Sequence, residues 1–239
     1  MYHPELEVSL VFPAYNEAGG IERAVDVALK ELLKEKSSFE IIIAEDGSSD
    51  GTDVVAKRLE ATHQEVRHIH RAERLGRGSA LNRAFKECRG TILVYMDVDL
   101  ASDITQLWAL IDSIRDGADI ATGSRLLPSS RVQRSARRSL ASWFYNFLVR
   151  TLFNIPIHDY QCGFKAFNRR RLMEYIDEVE DTHWFWDTEV IIRGVRHGLK
   201  VEEIPINWSE GQGTKVNLIR DSWRMGSKAI HLWWKMRNT

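Results

Sequence analysis

Short apolar runs rich in β-branched residues alternate with longer helical patterns through the first hundred residues of this 239-residue chain. Such alternation is typical of an α/β fold, with a mostly parallel central sheet and helices on both of its faces. In sheets of this kind, ligands bind beyond the carboxyl ends of the strands. The predicted elements are strands Val8–Phe12, Phe39–Ala44, Val66–His70 and Thr91–Met96, and helices Gly20–Leu33, Thr52–Ala61 and Ser79–Cys88.

The second half of the chain is less regular but continues the same mixture of elements. It contains no internal repeat, no low-complexity linker and no clear boundary, so a single domain is the simplest interpretation. The predicted elements are helices Ile104–Arg115, Ala136–Phe153 and Arg169–Ile176, a helix from Asp187, a final helix, and strands Asp119–Ala121 and Val201–Ile206.

The charge of the chain is balanced overall but unevenly distributed. Thirty-three basic residues face thirty-four acidic ones, and the formal net charge of −1 gives no indication of nucleic-acid binding. No acidic residue occurs between Asp119 and Asp159, whereas six arginines do, so this stretch should attract anions. Cys88 and Cys162 form no C-x-x-C pair, which predicts buried free thiols in a reducing, cytoplasmic compartment. The first strand begins soon after Met1, so no leader peptide is expected.

Two carboxylates, Asp97 and Asp99, follow directly after the fourth predicted strand. Strand residues two apart face the same way, so both side chains can point at one ligand if the strand geometry continues to its tip. Two oxygen ligands suit Mg²⁺ or Mn²⁺, which completes its shell with water and substrate phosphates. The pair therefore predicts a divalent metal site and a phosphate-bearing substrate. The alternative is a solvated turn after a buried strand.

Polar clusters also follow the other predicted strands, and their convergence at one edge of the sheet favours the metal-site interpretation. Asp46 is placed where a carboxylate can accept hydrogen bonds from the ring N–H of a nucleotide base. In the segment from Arg74 to Gly78, glycines permit close backbone approach, and Arg74 and Arg77 can meet phosphate. The segment is neither G-x-G-x-x-G nor a Walker motif, which argues against a dinucleotide-binding or P-loop site.

Basic and aromatic residues of the second half are candidates for binding phosphate and sugar. Arg125 and the adjacent Arg137 and Arg138 carry planar guanidinium groups that match phosphate oxygens. Lys165 follows a glycine-containing turn, where its ammonium group can neutralise a phosphate.

Tryptophan rings stand next to two carboxylates, Asp187 and Glu189, in an arrangement typical of sugar sites. Aromatic rings lie against the C–H faces of sugars, and carboxylates accept hydrogen bonds from their hydroxyl groups. Asp187 and Glu189 are therefore candidates for orienting a sugar. For Glu189, an equally good interpretation is an i,i+4 ion pair with Arg193.

Two other polar features have structural interpretations. His68 and His70 share a strand face, but no third metal ligand is near them in sequence, so we interpret them as structural or exposed. Asp50 is placed to cap the helix that follows it.

The final helix combines an apolar side with a basic side, a pattern that suits either a bilayer interface or docking onto the protein's own core. The longest uncharged stretch near the aromatic residues, Ser139–Val149, is too short to span a bilayer. The apolar side carries Ile219, Trp223, Ile230, Trp233 and Trp234, and the basic side carries Arg220, Arg224, Lys228 and Lys235.

Taken in order, five motifs resemble those of family 2 glycosyltransferases with the GT-A fold, in particular the polyprenyl-phosphate hexose synthases. Two stretches, 161–165 and 206–215, are most similar to dolichyl-phosphate glucosyltransferases. Glu45 departs from the family pattern, in which aspartate is commoner at this position. The motifs are Pro13-Ala-Tyr-Asn-Glu17, Glu45-Asp46-Gly-Ser, Asp97-Val-Asp99, Gly123-Ser-Arg125 and Asp159-Tyr-Gln-Cys-Gly-Phe-Lys165.

The resemblance implies a role for each group of candidate residues. It implies that Asp97 and Asp99 hold a diphosphate through Mg²⁺ or Mn²⁺. It also divides the chain into a nucleotide-binding half at about 6–100, an acceptor-binding half at about 101–215 and an amphipathic helix at about 217–237. Nucleotide contacts are implied for Pro13, Tyr15, Glu17 and Asp46, with Arg77 added from its own motif, and phosphate contacts for Arg125, Arg137 or Arg138, and Lys165.

The expected activity is inverting transfer of a hexose from a nucleotide sugar, with UDP-glucose favoured, to dolichyl or polyprenyl phosphate at the cytoplasmic surface of a membrane. A GDP-mannose-dependent mannosyltransferase is the alternative within the family, although Ala101 stands where mannosyl relatives usually carry glutamine. Two other classes are compatible with the sequence: a phosphohydrolase, and a nucleotide-sugar-binding module without catalysis.

Overall fold

A computed structural model describes residues 6–210 and 218–237 of the chain, without the side chains of residues 218–222. The strands are β1 (Leu6–Ala14), β2 (Phe39–Asp46), β3 (Val66–Arg71), β4 (Gly90–Met96), β5 (Ile120–Ser124), β6 (Arg131–Gln133), β7 (Phe164–Asn168), β8 (Val201–Pro205) and β9 (Asn207–Ser209). The helices are α1 (Ile21–Leu32), α2 (Thr52–Thr62), α3 (Arg77–Glu87), α4 (Leu107–Arg115), α5 (Ala136–Phe153), α6 (Arg169–Met173), α7 (Trp186–Arg196) and α8 (Leu218–Arg237).

Seven strands form one sheet in the order β3-β2-β1-β4-β7-β5-β8. Neighbouring strands are parallel except at β7, which runs antiparallel to both β4 and β5. The predicted mostly parallel sheet is therefore confirmed. Strands from both halves of the chain belong to this sheet, while the functional division near residue 100 stays a prediction.

Both faces of the sheet are covered, as the sequence predicts. Alternate residues of β1 enter different cores, with Leu10 and Phe12 packed on one face and Val11 on the other. The first core includes α1, α2 and α4, and the second includes α3, α5, α7 and α8. In α1 the buried positions recur every three or four residues, which is the period of a helix with one apolar face.

The sequence analysis did not predict β7, β6 or β9. In β7 only five residues, Phe164 to Asn168, are paired, and Lys165 interrupts their apolar character although it is buried. Because β7 lies between β4 and β5, its backbone is paired on both sides, so sheet pairing rather than local pattern determines its conformation. Strands β6 and β9 form a separate parallel pair of three residues each, too short to leave a periodic signal.

The final helix docks on the protein's own core, and its predicted contact with a bilayer stays a prediction. Ala229 and Leu232 are buried against the second core, so one side docks on the protein. Trp223 and Trp234 remain 81% and 61% exposed. Residues 211–217 and the side chains of Ile219 and Arg220 lie outside the described residues. Within the described ranges, no helix has the length and apolarity needed to cross a membrane.

Candidate active site

A cavity of about 250 Å³ opens beyond the carboxyl end of β4. One part of its lining, the acidic wall, carries carboxylates that follow β4 and begin α7, and another part, the basic wall, carries arginines next to the first turn of α5. Its polar and charged lining residues are Asp97, Asp99, Ser102, Arg125, Arg134, Arg138, Ser142, Gln161 and Asp187, and its aromatic ones are Tyr145, Trp184 and Trp208. The cavity therefore lies at the edge of the sheet where the sequence predicts the site.

Asp97 and Asp99 line the same cavity, although β4 ends at Met96 and Asp99 lies in a turn rather than in a continued strand. Within the described part of the chain, Arg77 donates hydrogen bonds to Oδ1 of Asp97, and the Ala101 amide donates one to Oδ1 of Asp99. Desolvation and the neighbouring Asp97 charge raise the pKa of Asp99. Two hard oxygen donors in mutual repulsion, with an open cavity beside them, fit Mg²⁺ or Mn²⁺.

Arg77, the first residue of α3, is the central cation of the acidic wall. It donates to Asp97 Oδ1 from Nη2 at 2.8 Å and to Asp187 Oδ2 from Nη1 at 2.7 Å. The Tyr95 hydroxyl donates to Asp187 Oδ1, and Lys165 Nζ lies 3.0 Å from the same oxygen. Arg77 therefore fixes the orientation of Asp97, a role that the predicted nucleotide contact did not include.

Lys165 does not lie at the cavity wall, contrary to the predicted phosphate contact. Its side chain is fully buried, and Nζ donates to the Cys162 carbonyl and to Asp187. Burial lowers the pKa of Lys165 and raises that of Asp187, whereas the adjacent Arg77 favours the ionised carboxylate. From the sequence, Lys165 is a lysine after a glycine-containing turn. The sequence could not show that this lysine lies in β7 with its side chain buried.

Asp187 and Glu189, the two predicted sugar-orienting carboxylates, occupy different environments. Asp187 lines the cavity, but Tyr95, Lys165 and Arg77 engage both of its oxygens. Glu189 is buried outside the cavity lining and pairs with Arg193 at 2.7 Å, while backbone amides donate to its other oxygen. The geometry thus fits the i,i+4 ion pair for Glu189.

Arg125 is held by an acidic partner rather than left open to a phosphate. Its Nε and Nη2 donate to the two carboxylate oxygens of Asp159 at 2.7 and 2.9 Å, and its backbone amide donates to the same group at 3.0 Å. Asp159 is fully buried. Although burial alone would raise the pKa of Asp159, Arg125 lowers it to about 2. Arg125 therefore lines the cavity in an orientation that Asp159 fixes, and its predicted phosphate contact stays a prediction.

The basic wall consists of Arg134 and Arg138, whereas the sequence analysis selected Arg137 and Arg138. Arg134, in the link between β6 and α5, and Arg138, in the first turn of α5, both line the cavity, while the Arg137 side chain is exposed outside its lining. Arg138 pairs with Glu210, and Arg134 donates to Ser139 and to the Arg138 carbonyl. Arg134 precedes the N-cap residue Ser135, so helical spacing could not have identified it.

The predicted nucleotide contacts lie at the ends of β1 and β2. Asp46 is buried and accepts a hydrogen bond from Arg83 at Oδ1, while Oδ2 has no partner among the described residues. Burial raises the pKa of Asp46. Such an orphaned acceptor suits a base N–H, so the predicted base contact is chemically reasonable. The Arg74 guanidinium lies 3.7 Å from the Tyr15 ring centroid.

The two loops that carry these residues are joined by hydrogen bonds. The Asn16 amide donates to Ser48 Oγ at 3.1 Å, and the Glu17 amide donates to Thr52 Oγ1 at 2.9 Å. Asp50 accepts from the Thr52 amide at the start of α2, so its predicted capping role is confirmed. Pro13 pairs with Ala44 in the adjacent strand. The nucleotide roles of Pro13, Tyr15, Glu17 and Asp46 stay predictions.

Gly163 permits the turn before β7 to approach Asp97, one of the two carboxylates predicted to bind a metal. A Cβ atom at this position would lie 2.1 Å from Asp97 Oδ2. We expect Gly163→Ala to displace Asp97 and lower catalytic turnover by about a hundredfold, since a misplacement of about 1 Å has effects of this size. Steady-state kinetics of the purified variant measure this loss.

The matched control for this change is Gly19→Ala. Gly19 lies in the loop after β1, where an added Cβ atom would meet no described atom within 4 Å. Its turnover should equal that of the unchanged protein. Equal turnover by Gly163→Ala and Gly19→Ala would contradict the close approach of Gly163 to Asp97.

The family model described as "Glycosyl transferase family 2" matches residues 9–176, which is most of the chain. This chain belongs to glycosyl transferase family 2. The resemblance found in the sequence motifs is thereby confirmed.

Curated members of the family match almost the whole chain. Glycosyltransferase AglD of Haloferax volcanii is 46% identical over 234 residues, covering 97% of this chain and 38% of AglD. Dolichyl-phosphate beta-glucosyltransferase of Saccharomyces cerevisiae is 31% identical over 247 residues, covering 95% of this chain and 74% of the yeast protein. The human protein of the same name is 30% identical, covering 89% of this chain and 70% of the human protein. This chain thus spans less than half of AglD and about three quarters of the yeast protein.

Solved structures show the same fold at lower sequence identity. Glucosyl-3-phosphoglycerate synthase from Mycobacterium tuberculosis, in complex with Mn²⁺, UDP and glucosyl-3-phosphoglycerate, has a TM-score of 0.67 at 19% identity, covering 94% of this chain and 77% of that one. Mannosyl-3-phosphoglycerate synthase from Rubrobacter xylanophilus has a TM-score of 0.68 at 18% identity, covering 95% of this chain and 73% of that one. The expected GT-A fold is confirmed.

Proposed function

We propose that this chain transfers a hexose from a nucleotide sugar, with UDP-glucose the favoured donor, to dolichyl or polyprenyl phosphate. The observation that carries the proposal is the two-sided polarity of the cavity, with Asp97 and Asp99 on one wall and Arg134 and Arg138 on the other. The acidic wall suits a metal-bound diphosphate, and the basic wall suits an acceptor phosphate.

The names of the relatives supply the substrate class. The yeast and human relatives are dolichyl-phosphate beta-glucosyltransferases, which supports glucose as the sugar and dolichyl phosphate as the acceptor. A beta-linked product made from an α-linked nucleotide sugar requires inversion at the anomeric carbon. In an inverting reaction, one acceptor oxygen attacks that carbon as the bond to the nucleoside diphosphate breaks.

The residues of the chain would act mainly by positioning and by electrostatics. Mg²⁺ or Mn²⁺ bound by Asp97 and Asp99 would neutralise charge on the departing diphosphate. Arg77 and Asp187 hold Asp97 in place. An acceptor phosphate is already ionised at neutral pH, so its attack needs no strong general base. Alignment of the acceptor behind the anomeric carbon lowers the barrier by fixing the two reactants together.

Charge reversal on the basic wall tests the acceptor site. We expect Arg134→Glu and Arg138→Glu each to raise the KM for polyprenyl phosphate about tenfold to a hundredfold, because a hydrogen bond to a charged group contributes about 1.5–3 kcal/mol. The KM for the nucleotide sugar should change little. Initial rates with each substrate varied in turn give both constants.

Arg137→Glu is the matched control, since it makes the same charge change on the same helix outside the cavity lining. It should leave the KM for the acceptor within about twofold of the unchanged protein, as expected for a screened surface charge. An equal rise in KM for all three variants would show a general electrostatic effect and contradict a specific acceptor site.

A continuous apolar surface beside the cavity supports contact with a membrane. Helices α5 and α8 pack together, and a Cβ atom added at Gly226 of α8 would lie 3.7 Å from Leu148 of α5. The exposed aromatic face of α5 lies next to the basic wall, where the phosphate of a lipid acceptor would enter.

We place the protein at a cytoplasmic membrane surface, which the free buried thiols of Cys88 and Cys162 support. The exposed apolar residues are Leu140, Trp143, Phe144 and Phe147 of α5, and Trp223, Ile230 and Trp234 of α8.

Substitution on α5 tests this surface without removing α8, whose Ala229 and Leu232 belong to the core. We expect the combined variant Trp143→Ser, Phe144→Ser, Phe147→Ser to lower the vesicle partition coefficient at least about tenfold, since burying each large apolar side chain is worth about 1.5–3 kcal/mol. Co-sedimentation with vesicles measures the bound fraction.

The control removes exposed apolar residues from the opposite face of the sheet. Leu33 and Val54 are 66% and 64% exposed, and Leu33→Ser with Val54→Ser should leave vesicle binding unchanged. Unchanged binding by the α5 variant as well would refute the membrane role of this face.

A further inference from the structure

A second cluster of metal-ligating side chains lies at the edge strand of the sheet, away from the acidic wall of the cavity. His68 and His70 share one face of β3, and Glu45 of the adjacent β2 is paired in register with His70. One ligand atom from each of the three side chains lies within 4.8 Å of the other two. The two histidines were interpreted as structural because no third ligand lies near them in sequence. Glu45, on the neighbouring strand, supplies that third ligand in the fold.

The His68 ring gives the second, independent observation. Its side chain is only 2% exposed, and its Nε2 has no hydrogen-bond partner within the described residues. This atom lies 3.7 Å from Glu45 Oε2, too far for a hydrogen bond. Burial of an unpaired ring nitrogen is costly, so the arrangement indicates that a ligand satisfies it.

We propose that Glu45, His68 and His70 bind a transition-metal ion of the Zn²⁺ type, separate from the Mg²⁺ or Mn²⁺ expected at Asp97 and Asp99. Two imidazoles and one carboxylate form a donor set suited to zinc, whereas paired carboxylates suit harder ions. Ligand atoms around tetrahedral zinc lie about 3.3–3.5 Å apart, given bonds of about 2.0–2.2 Å. The spacings of Glu45 Oε2 from His70 Nδ1 and from His68 Nε2, 2.5 and 3.7 Å, bracket this range.

The remaining coordination position would be open to water. His70 is 40% exposed, so the ion can enter from the surface beside it, while Glu45 is fully buried. Binding replaces the hydrogen bond between His70 Nδ1 and Glu45 with two bonds to the metal, and the proton of the neutral His70 ring then lies on Nε2. The charged groups of α2 on this side are Asp53, Lys57 and Glu60, of which Lys57 pairs with Asp53 at 3.4 Å.

The ion would stabilise the loop that carries the predicted base-binding residue. Glu45 Oε1 accepts the Ser48 amide hydrogen at 2.7 Å, and Ser48 Oγ accepts that of Asn16. Glu45 would therefore connect the metal to both loops at the ends of β1 and β2, next to Asp46. The role is structural, because the cluster lies outside the cavity lining.

The departure of Glu45 from the commoner aspartate has a physical reason under this proposal. Glutamate is longer by one methylene, which lets one carboxylate oxygen reach the histidines while the other accepts from Ser48. We expect Glu45→Asp to lose metal affinity. It keeps the charge and the ability to accept a hydrogen bond in the loop.

The test uses Co²⁺ as a spectroscopic probe in the full chain, treated first with a chelator. The protein also carries Asp97→Asn and Asp99→Asn, which disable the first metal site. We expect this parent protein to bind one equivalent of Co²⁺ and to show the intense visible absorption of tetrahedral coordination. Zn²⁺ should displace it. Adding His70→Gln should weaken Co²⁺ binding more than about a hundredfold. This loss exceeds the one expected for a residue that only hydrogen-bonds to a metal ligand.

His158→Gln is the matched control, because His158 forms a similar exposed pair with Glu203 at 2.7 Å but belongs to no three-ligand cluster among the described residues. This variant should bind Co²⁺ as tightly as its parent. His70 is exposed enough for its variant to fold, so the test does not depend on the buried His68. Absence of tetrahedral Co²⁺ from the parent, or equal affinity after His70→Gln, would overturn the proposal.

Discussion

Replacing Asp99 by alanine is expected to lower turnover at least about a thousandfold, equivalent to about 4 kcal/mol of transition-state stabilisation. The carboxylate lies in the cavity beside Asp97, and the only hydrogen bond that it accepts within the described chain comes from the Ala101 amide. Its loss would remove one of two protein ligands for the divalent ion. Rates of glycolipid formation with saturating substrates and metal measure the effect.

The fold should survive this change. Desolvation and Asp97 raise the pKa of Asp99, so the ionised side chain destabilises the folded state in the absence of a cation. Thermal unfolding without added metal should therefore show an unchanged or slightly higher midpoint. Asp26→Ala, at an exposed position of α1, is the control and should retain full turnover. An active Asp99→Ala protein would refute the metal role of this residue.

Replacing Asp159 by asparagine is expected to destabilise the protein by about 3–5 kcal/mol, because it leaves the mostly buried Arg125 without its counter-charge. Asp159 is fully buried, and Arg125 contacts both of its oxygens. Chemical denaturation at neutral pH, followed by tryptophan fluorescence, gives the free energy of unfolding for both proteins. The exposed pair of Arg58 and Glu22 supplies the control, since Glu22→Ala should have little effect on stability.

The same ion pair predicts a pH dependence of a defined sign. Arg125 lowers the pKa of Asp159 to about 2, below its ordinary value of 3.8, so the folded state binds the proton more weakly than the unfolded state. The stabilisation is fully present above about pH 4 and is lost as the pH falls from there toward 2. In Asp159→Asn this contribution should be absent. A small stability difference at neutral pH between Asp159→Asn and the unchanged protein would contradict a structural role for Arg125.

The alternation of apolar runs was sufficient to predict the sheet, its mostly parallel pairing and the edge at which the site lies. Local pattern could not reveal β7, because its neighbours β4 and β5 determine its pairing and a buried lysine breaks its apolar run. The same burial explains why Lys165 was wrongly placed against a phosphate. A side chain on the inner face of a short strand cannot be distinguished from an exposed one by sequence alone.

Within the site, the residues predicted best are those attached to strand ends. Asp97 and Asp99 lie in one cavity because they follow directly after β4, whose carboxyl end opens into it. Residues on helices and loops were predicted less well, since their direction depends on where the helix begins. The start of α5 directs Arg138, rather than Arg137, into the cavity together with Arg134. Pairings between distant segments, such as Arg125 with Asp159 or Glu45 with His70, join residues far apart in sequence and became visible only in the fold.

The central claim is transfer of a hexose to a polyprenyl phosphate, and the most direct measurement of it is a donor panel. UDP-glucose, GDP-mannose and UDP-N-acetylglucosamine, each radiolabelled in the sugar, are incubated with the protein, polyprenyl phosphate and Mg²⁺ or Mn²⁺, and labelled glycolipid is counted. We expect glycolipid from UDP-glucose, dependent on the metal and on the acceptor. Glycolipid from GDP-mannose alone would contradict the choice of donor, and free sugar without glycolipid from every donor would contradict the proposed transfer.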